Sequence, residues 1–186
     1  GVDAVVNFAA ESHVDRAIRG TRPFIDTNVI GVQTLIEAAL RLRVPLVQVS
    51  TDEVYGPAPP GIFFDETAPL RPGNGYSATK AAGDLLVLAA VNTYGLEACV
   101  TRCVNNFGPR QHPEKFVPGT LRKVLRGERV TIHADTTRTR AGSRFYIHCR
   151  NFSAALLHFA GIAGDLPRKI HVAGEREVDN LALARR

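Results

Sequence analysis

The sequence predicts an α/β fold in which short buried strands alternate with longer helices around a parallel sheet. Three short, largely apolar runs, at residues 4–10, 44–49 and 96–104, have the length and composition of strands in a buried sheet. Helical patterns at residues 23–42 and 76–94 separate these runs. Alternation of this kind forms right-handed crossovers between parallel strands, which favours a doubly wound sheet.

The two long helices have recognisable ends. Pro23 is suited to the first turn of the first helix, where its missing N–H has no partner to lose. The apolar residues of this helix recur at helical spacing: Phe24, Ile25, Val29, Val32, Leu35, Ile36 and Ala39. The second helix begins at Tyr76 and ends before Gly95, because glycine readily adopts the left-handed conformation that closes a helix.

The second half of the chain has shorter and less regular elements. Residues 105–113 are predicted to form a loop, and a helix is expected from Phe116 or Val117 to a point before Gly127. Further elements are then expected in this order: a strand at 130–133, an exposed polar loop at 134–143, a strand at 145–148, a helix capped by Asn151, a strand at 169–173 and a helix capped by Asp179. The sequence therefore predicts a sheet-forming part, residues 1–113, and a smaller α/β part, residues 114–186.

Composition limits the classes of function. The chain has 186 residues, of which 45% are apolar, and this is enough for one domain with a sizeable core. No apolar run approaches the roughly 18 residues that cross a membrane. The net charge is +5, and the 19 arginines and 4 lysines are scattered. Nucleic-acid binding would require a basic stripe with aromatic residues, so we expect neither nucleic acid nor membrane as a partner.

Cysteine and histidine give no framework of disulfides or metal ligands. Cys99 and Cys103 lie on one predicted strand about 13 Å apart at ~3.3 Å per residue, which is beyond the reach of a disulfide. Together with Cys149 they are expected to be reduced thiols in a cytoplasmic protein. The six histidines show no metal-ligand spacing, so no metal site is predicted.

Tyr76 and Lys80 are four residues apart and therefore lie on one face of the predicted helix. An ammonium close to a phenol favours the phenolate and lowers the pKa of the tyrosine. Such a phenol can take a proton from a hydroxyl near neutral pH. The pair alone also fits an ordinary polar helix face, so its significance depends on its surroundings.

Polar side chains follow two of the predicted strands. The run at residues 44–49 ends in Ser50-Thr51-Asp52-Glu53, and the run at 96–104 ends in Asn105-Asn106. Strand ends at one edge of an open α/β sheet are where such folds place their chemistry. The sequence therefore predicts that these residues meet the Tyr76–Lys80 pair at that edge.

Four segments together resemble the dTDP-glucose 4,6-dehydratases, a family within the extended short-chain dehydrogenases/reductases. They are AAESHVDR at 9–16, STDEVYG at 50–56, the Tyr76-x-x-x-Lys80 pair, and NNFGP at 105–109 followed by PEK at 113–115. The likeness spans nearly the whole chain, in the same order and at compatible spacings. It implies a Rossmann-like NAD-binding domain whose C-terminal portion, with the catalytic residues, is residues 1–113, and a nucleotide-sugar-binding part in 114–186.

Members of that family begin with a strand, a glycine-rich turn and a helix that bind the NAD pyrophosphate. No such turn occurs in these 186 residues, and the family also continues past the position of Arg186. We therefore expect an internal fragment with an incomplete sheet, inactive by itself. The resemblance also implies a homodimer that packs helices of the two subunits together.

The resemblance implies a reaction with three stages: transient oxidation of a hexose at C4, loss of water across C5 and C6, and return of hydride to C6. Tyr76 would take the O4 proton, Lys80 would hold the nicotinamide ribose, and Thr51 would hydrogen-bond to O4 and Tyr76. Glu53 would remove the C5 proton, and Asp52 would protonate the departing C6 oxygen. Asp52 must then carry a proton beforehand, which burial or the charge of Glu53 would favour.

Binding residues are implied by the same matching of motifs. The NAD site would include Phe8, Ala9, Ala10, Glu11, Ser12, Thr27, Tyr76, Lys80 and Asn106. The nucleotide sugar would contact Ser12, Thr51, Asn105, Lys115, Phe116, Thr131, Ile132, His133 and Arg144. Arg144 suits the diphosphate, because a guanidinium can make paired hydrogen bonds to it.

Departures from the family pattern lie in the second half. His133 stands where tyrosine is usual, the loop at 134–143 is longer than the usual turn, and Arg176 replaces a common asparagine. The resemblance places these positions around the nucleotide and away from the C4–C6 chemistry, so they bear on the base and the sugar and leave the implied reaction type unchanged. The alternatives are a UDP-glucuronate decarboxylase or nucleotide-sugar epimerase on the same scaffold, which generally lack the acid before Glu53, and a catalytically silent fragment or scaffold protein.

Overall fold

The computed structural model describes residues 1–59, 61–160 and 167–185. Its strands are β1 (Val5–Asn7), β2 (Leu46–Thr51), β3 (Ala98–Cys103), β4 (Asn105–Phe107), β5 (Ser143–His148), β6 (Lys169–Val172) and β7 (Glu177–Asp179). Its α-helices are α1 (Val14–Arg19), α2 (Arg22–Ile25), α3 (Gly31–Leu42), α4 (Gly75–Tyr94), α5 (Phe116–Leu125), α6 (Cys149–Ala160) and α7 (Asn180–Ala184). A π-helix, Asp26–Ile30, links α2 to α3, and a 3-10 turn, Asp52–Tyr55, follows β2.

The first sheet has the strand order β1-β2-β3-β6, and each of its pairs is parallel. This confirms the predicted parallel α/β sheet. The carboxyl ends of β1, β2 and β3 therefore meet at one edge, where Asn7, Thr51 and Cys103 end their strands. The first compact unit of the chain consists of residues 1–103 and 155–172.

The second compact unit consists of residues 104–154 and 173–186. Its sheet has the order β4-β5-β7, in which β4 and β5 are parallel while β5 and β7 are antiparallel. The division of functional domains at residue 113 stays a prediction. None of the helices within the described part of the chain is long and apolar enough to cross a bilayer.

Several predicted elements of the second half are wrong. Residues 105–107 form a strand rather than a loop, because they pair with β5 despite the two asparagines. Residues 130–133 form no strand, and the strand pairing described nearby is an isolated bridge between Ala134 and Ala141. Asn151 lies inside α6, which begins directly after β5. Asp179 does cap α7, where its carboxylate accepts from Ala182 N at 2.8 Å.

The main core of the first unit lies between the sheet and the helices α3 and α4. Its buried residues are Val32, Ile36, Ala39, Leu46, Val87, Ala90, Leu96, Ala98 and Val100. Fully burying one valine side chain such as Val87 contributes about 1.5–3 kcal/mol. The core therefore fixes α4, which carries Tyr76 and Lys80, against β2 and β3.

The start of α4 is defined by a reciprocal pair of hydrogen bonds. The Asn74 carbonyl oxygen Oδ1 accepts from Ser77 N at 2.8 Å, and Ser77 Oγ accepts from Asn74 N at 3.2 Å. This capping box satisfies two backbone donors one turn before Lys80. Gly95 ends the helix with a φ of 68°, as the sequence predicts.

Replacing Asn74 by alanine is expected to lower the free energy of unfolding by about 1 kcal/mol, because the cap loses its acceptor. Asn74→Ser keeps an acceptor and is expected to stay close to wild type. Urea unfolding of both variants measures the difference. Equal losses in the two variants would show that the capping box does not carry the effect.

Helix α4 approaches the π-helix closely at Gly83. A Cβ atom at Gly83 would lie 2.7 Å from the backbone oxygen of Asn28 and 3.4 Å from Cγ2 of Val32. Alanine would gain about 1 kcal/mol of helix propensity, but overpacking costs about 1–3 kcal/mol. We therefore expect Gly83→Ala to be destabilising by roughly 1 kcal/mol in denaturant unfolding.

Gly31 provides the matched control for this prediction. A Cβ atom there would lie 3.7 Å from the nearest backbone oxygen, that of Asp26, which is an ordinary contact. Gly31→Ala is expected to stabilise the protein by about 0.4–1 kcal/mol. A Gly83→Ala variant as stable as Gly31→Ala would contradict the close packing of α4 on the π-helix.

Candidate active site

The turn after β2 presents two adjacent carboxylates. Thr51 is the last residue of the strand, and its hydroxyl donates to Asp52 Oδ1 at 3.2 Å and accepts from Glu53 N at 3.3 Å. The Thr51 side chain therefore caps the 3-10 turn at Asp52–Tyr55. Asp52 and Glu53 are partly buried, so neither is an ordinary solvated strand end.

Tyr76, at the start of α4, lies beside this turn. Burial and then the negative charge of Glu53 raise the pKa of the Tyr76 phenol well above its ordinary value, and Asp52 adds to the effect. The Thr51 hydroxyl opposes it by favouring the phenolate. The structure thus brings together four of the five predicted catalytic side chains: Thr51, Asp52, Glu53 and Tyr76.

Lys80 is 3% exposed, and its Nζ atom donates to the backbone oxygen of Val49 at 2.7 Å. Burial lowers the pKa of Lys80, while the charge of Asp84 acts in the opposite direction. The sequence-based expectation that Lys80 lowers the pKa of Tyr76 is wrong for this structure. Burial of the Tyr76 phenol and the charge of Glu53 determine the direction of its pKa shift, and the Lys80 ammonium donates to Val49 O instead.

The edge at β1 has the features of a dinucleotide site. Ala9 is exposed and Ala10 is partly buried, so little side chain covers the backbone that follows the strand. Ala9 N donates to Asn7 Oδ1 at 3.0 Å, which orders the turn. The Phe8 ring is 59% exposed and offers an apolar surface. Accessible backbone, an aromatic face and the nearby Lys80 fit the chemistry of a bound nicotinamide dinucleotide.

Asn28 is a site-forming residue to which sequence reasoning assigns no role. It lies in the π-helix, is buried, and joins two other segments through its side chain. Its Oδ1 atom accepts from Glu11 N at 3.0 Å, and its Nδ2 atom donates to Glu11 O at 2.9 Å and to Thr79 Oγ1 at 3.1 Å. Asn28 therefore fixes the turn after β1 relative to α4. In the sequence, the one signal for this role is a polar asparagine among the apolar positions of the predicted helix, because a polar side chain that becomes buried needs hydrogen-bond partners.

Three further predicted residues of the NAD site lie around this turn. Glu11 and Ser12 are partly buried and precede α1. Thr27 is the neighbour of Asn28 in the π-helix, a type of local widening that is frequent at functional sites. Asn106 lies on β4 in the second unit, and its Nδ2 atom donates to Val104 O at 3.3 Å.

In the second unit, the structure groups two predicted substrate residues around Tyr146. Asn105 pairs with Tyr146 across β4 and β5, and its side chain interacts with the phenol. The Tyr146 hydroxyl donates to Asn180 Oδ1 at 2.8 Å. Burial raises the pKa of Tyr146, while the charge of Arg144 opposes the shift. The sequence gives no signal for the contact between Tyr146 and Asn180, because it indicates only a strand and a helix at these positions.

The other predicted substrate residues are spread over the second unit. Lys115 occupies the N-cap position of α5, and Phe116 begins that helix. Thr131, Ile132 and His133 lie in irregular backbone, where His133 O accepts from Gly142 N at 3.2 Å. The exposed Arg144 donates from Nη1 to Ser143 O at 2.8 Å. The roles of all these residues remain predictions.

Comparison with known proteins gives consistent matches. The NAD dependent epimerase/dehydratase family matches residues 1–173. A dTDP-glucose 4,6-dehydratase of Streptomyces niveus is 45% identical over 185 residues, which are 99% of this chain and 53% of that protein. The crystal structure of DesIV, a dTDP-glucose 4,6-dehydratase of Streptomyces venezuelae with NAD and TYD bound, is 42% identical with a TM-score of 0.88, covering 99% of this chain and 56% of that one.

A more distant solved structure has the same fold. The UDP-glucose 4-epimerase of Thermus thermophilus in complex with NAD is 28% identical with a TM-score of 0.88, covering 97% of this chain and 59% of that one. The chain spans about half the length of the curated relatives it matches. The fold is therefore shared by dehydratases and epimerases.

Proposed function

Because the chain belongs to the NAD dependent epimerase/dehydratase family, we propose that the complete protein dehydrates dTDP-glucose to its 4-keto-6-deoxy derivative. The observation that carries this proposal is the pair Asp52 and Glu53, adjacent on one turn and close enough to Tyr76 to influence its pKa. Elimination of water needs one group that removes a proton and another that supplies one. An epimerase, which releases no hydroxide, has no need of the second carboxyl group.

NAD, when bound, would supply a reversible hydride carrier, which accepts hydride from the sugar C4 and returns it to C6 after water is lost. In this chain the turn after β1, with Phe8, Ala9 and Ala10, would hold it together with Lys80. The buried ammonium of Lys80 supplies the charge and hydrogen-bond donors that suit a ribose hydroxyl.

As the phenolate, the form that its hydrogen bond with Thr51 favours, Tyr76 takes the proton from O4 during oxidation of the sugar, and Thr51 orients that hydroxyl. The resulting C4 ketone makes the C5 proton acidic, and Glu53 removes it. Asp52 then gives a proton to the C6 oxygen, so that water rather than hydroxide leaves. The hydrogen bond from Thr51 to Asp52 keeps the acid at the end of β2, next to the base.

Direct assay tests this proposal. The complete protein is incubated with dTDP-glucose, and the product is followed by the alkali-induced absorbance of a 4-keto-6-deoxy sugar. Parallel reactions contain UDP-glucuronate and UDP-glucose. Product from dTDP-glucose supports the proposal, whereas decarboxylation of the uronate or inversion at C4 without loss of water would replace it by one of the two related activities.

The same proposal includes a homodimer in the cytoplasm. Ile25, Ile30 and Leu85 are large apolar side chains exposed on α2, the π-helix and α4, and together they suit a self-complementary helical contact. The three cysteines are free, as a reducing compartment would keep them. Light scattering should give twice the subunit mass, and Leu85→Glu should shift it to the monomer. A monomeric wild-type protein would contradict the dimer.

A further inference from the structure

Arg102, on β3, joins two segments of the first unit through one guanidinium. Its Nε atom lies 3.0 Å from Asp84 Oδ2 on α4, and its Nη1 atom donates to the Tyr55 hydroxyl at 2.6 Å. The Arg102 and Asp84 side chains are 2% and 0% exposed. The guanidinium carbon also lies 5.0 Å from the centre of the Tyr55 ring. Arg102 thus bridges α4 and the turn at 52–55.

The Tyr55 end of this bridge continues to β6. Arginine can only donate, so the Tyr55 oxygen accepts from it and the single phenolic hydrogen is left for His171 Nε2, 2.6 Å away. This arrangement needs a neutral His171, and burial does lower its pKa. His171 N donates to Glu66 Oε1 at 2.9 Å, which also ties the long loop after the turn to β6.

The Asp84 end leads to the predicted catalytic lysine. Asp84 follows Lys80 by one helical turn, and its charge favours the ammonium form of Lys80. Burial raises the pKa of Asp84, while Ser50 and Arg102 oppose the shift by stabilising the carboxylate. Ser50 directly precedes Thr51 on β2. The Asp84 carboxylate on α4 is therefore bonded to β3 through Arg102 and lies beside the end of β2 at Ser50.

Stability alone is a weak reason for such a buried pair. Removing two charges from water costs several kcal/mol per ion, and well-packed apolar replacements are often as stable or more so. An apolar pair would, however, lack directional bonds between α4 and Tyr55. The Val54–Tyr55–Ala81 cluster packs these elements together without fixing their orientation by hydrogen bonds.

We propose that Arg102 is a positioning residue that sets the place of the acid-bearing turn, Asp52–Tyr55, relative to Tyr76 and Lys80 on α4. Arg102 acts indirectly, through its hydrogen bonds to Tyr55 in the turn and to Asp84 on α4. Its catalytic consequence rests on the proposed function, because it concerns how Asp52 and Glu53 are aimed. Its structural consequence, a turn that is held in one arrangement, does not depend on which sugar is bound.

Two variants test whether the turn is held by the hydrogen bond between Arg102 and Tyr55 rather than by the positive charge of Arg102 alone. Tyr55→Phe keeps the ring and removes both hydrogen bonds of the hydroxyl. Arg102→Lys keeps a cation for Asp84 but has no planar fork with which to reach Tyr55 as well. We expect both variants of the complete protein to fold. Each should raise amide hydrogen exchange of residues 51–56 by about tenfold or more and lower kcat by roughly tenfold to a hundredfold, with little change in KM.

Arg168→Lys is the matched control. Arg168 is an exposed arginine whose Nη1 atom donates to Asn92 Oδ1 at 2.7 Å, outside the bridge. The Arg168→Lys variant should leave both the amide hydrogen exchange of residues 51–56 and kcat at the wild-type values. Comparing melting temperatures across the three variants shows whether any effect is only a general loss of stability.

The proposal is overturned if Tyr55→Phe and Arg102→Lys are folded and leave either readout unchanged. Unchanged exchange would show that the bridge does not hold the turn, and unchanged kcat would show that the held turn is irrelevant to the chemistry. A wild-type protein that forms no 4-keto-6-deoxy sugar would refute the proposed function. In that case the exchange of residues 51–56 still decides whether Arg102 holds the turn.

Discussion

Tyr76→Phe is expected to reduce kcat for dTDP-glucose by about 10²–10⁴-fold, because it removes the group that accepts the O4 proton while keeping the ring. The buried phenol lies beside Thr51 and Glu53. Tyr55, the tyrosine within the turn itself, has its hydroxyl bonded to Arg102 and His171 and so cannot replace it. The loss should therefore fall on the first step, oxidation at C4.

Single-turnover reactions with substrate deuterated at C4 measure this step. In Tyr76→Phe a primary isotope effect should appear on the overall rate, because cleavage of the C4–H bond becomes rate-limiting. Tyr94→Phe is the matched control, since Tyr94 is 69% exposed at the far end of the same helix. If Tyr76→Phe retained rapid C4 oxidation, Tyr76 would not be the base.

Asp52→Asn is expected to slow the loss of water by roughly 10²-fold or more, because an amide cannot supply the proton that the departing C6 oxygen needs. Oxidation at C4 should slow much less, since Tyr76, Thr51 and Lys80 remain. A 4-keto sugar that still carries its C6 oxygen should therefore accumulate. Glu53 should exchange the C5 proton of that species with deuterium from the solvent.

Rapid quenching followed by mass spectrometry measures the 4-keto sugar and its deuterium content. Asp26→Asn serves as the matched control, because Asp26 forms an exposed pair with Arg22 at 2.9 Å, and exposed pairs of this kind contribute little to stability. Equal slowing of oxidation and water loss in Asp52→Asn would contradict separate roles for Asp52 and Tyr76.

Much of the first unit was predictable because its signals are local. The strands β2 and β3 are short, largely apolar and buried, and the helix α4 has a proline-free interior and is followed by a glycine. Spacing alone places Tyr76 and Lys80 on one face, and order along the chain places Thr51 at a strand end. The parallel sheet then brings these positions to the same edge.

The electrostatics of the site was not predictable from spacing. The pKa of Tyr76 depends on how deeply the phenol is buried and on its distance from Glu53, which only the tertiary structure fixes. The direction of the Lys80 ammonium likewise depends on Val49 O, 31 residues away in the chain. The position of Lys80 on the same helix face as Tyr76 therefore predicts the wrong direction for the pKa shift of Tyr76.

The bridge through Arg102 also has no local signal. Its partners Tyr55 and Asp84 lie 47 and 18 residues away, on a turn and a helix. In the second unit, residues 130–133 alternate like a strand but pair with no described strand, whereas Asn105–Phe107 looks polar but pairs with β5. Strand formation there depends on pairing, which a short sequence window does not contain.

The fate of the C4 hydrogen tests the central claim most directly. The complete protein is incubated with dTDP-glucose deuterated at C4, and the product is examined by NMR and mass spectrometry. Dehydration with transient oxidation predicts a 4-keto-6-deoxy sugar with deuterium at C6, moved from its original position. A product that keeps its C6 oxygen and carries deuterium at an inverted C4 would show epimerisation and contradict the account.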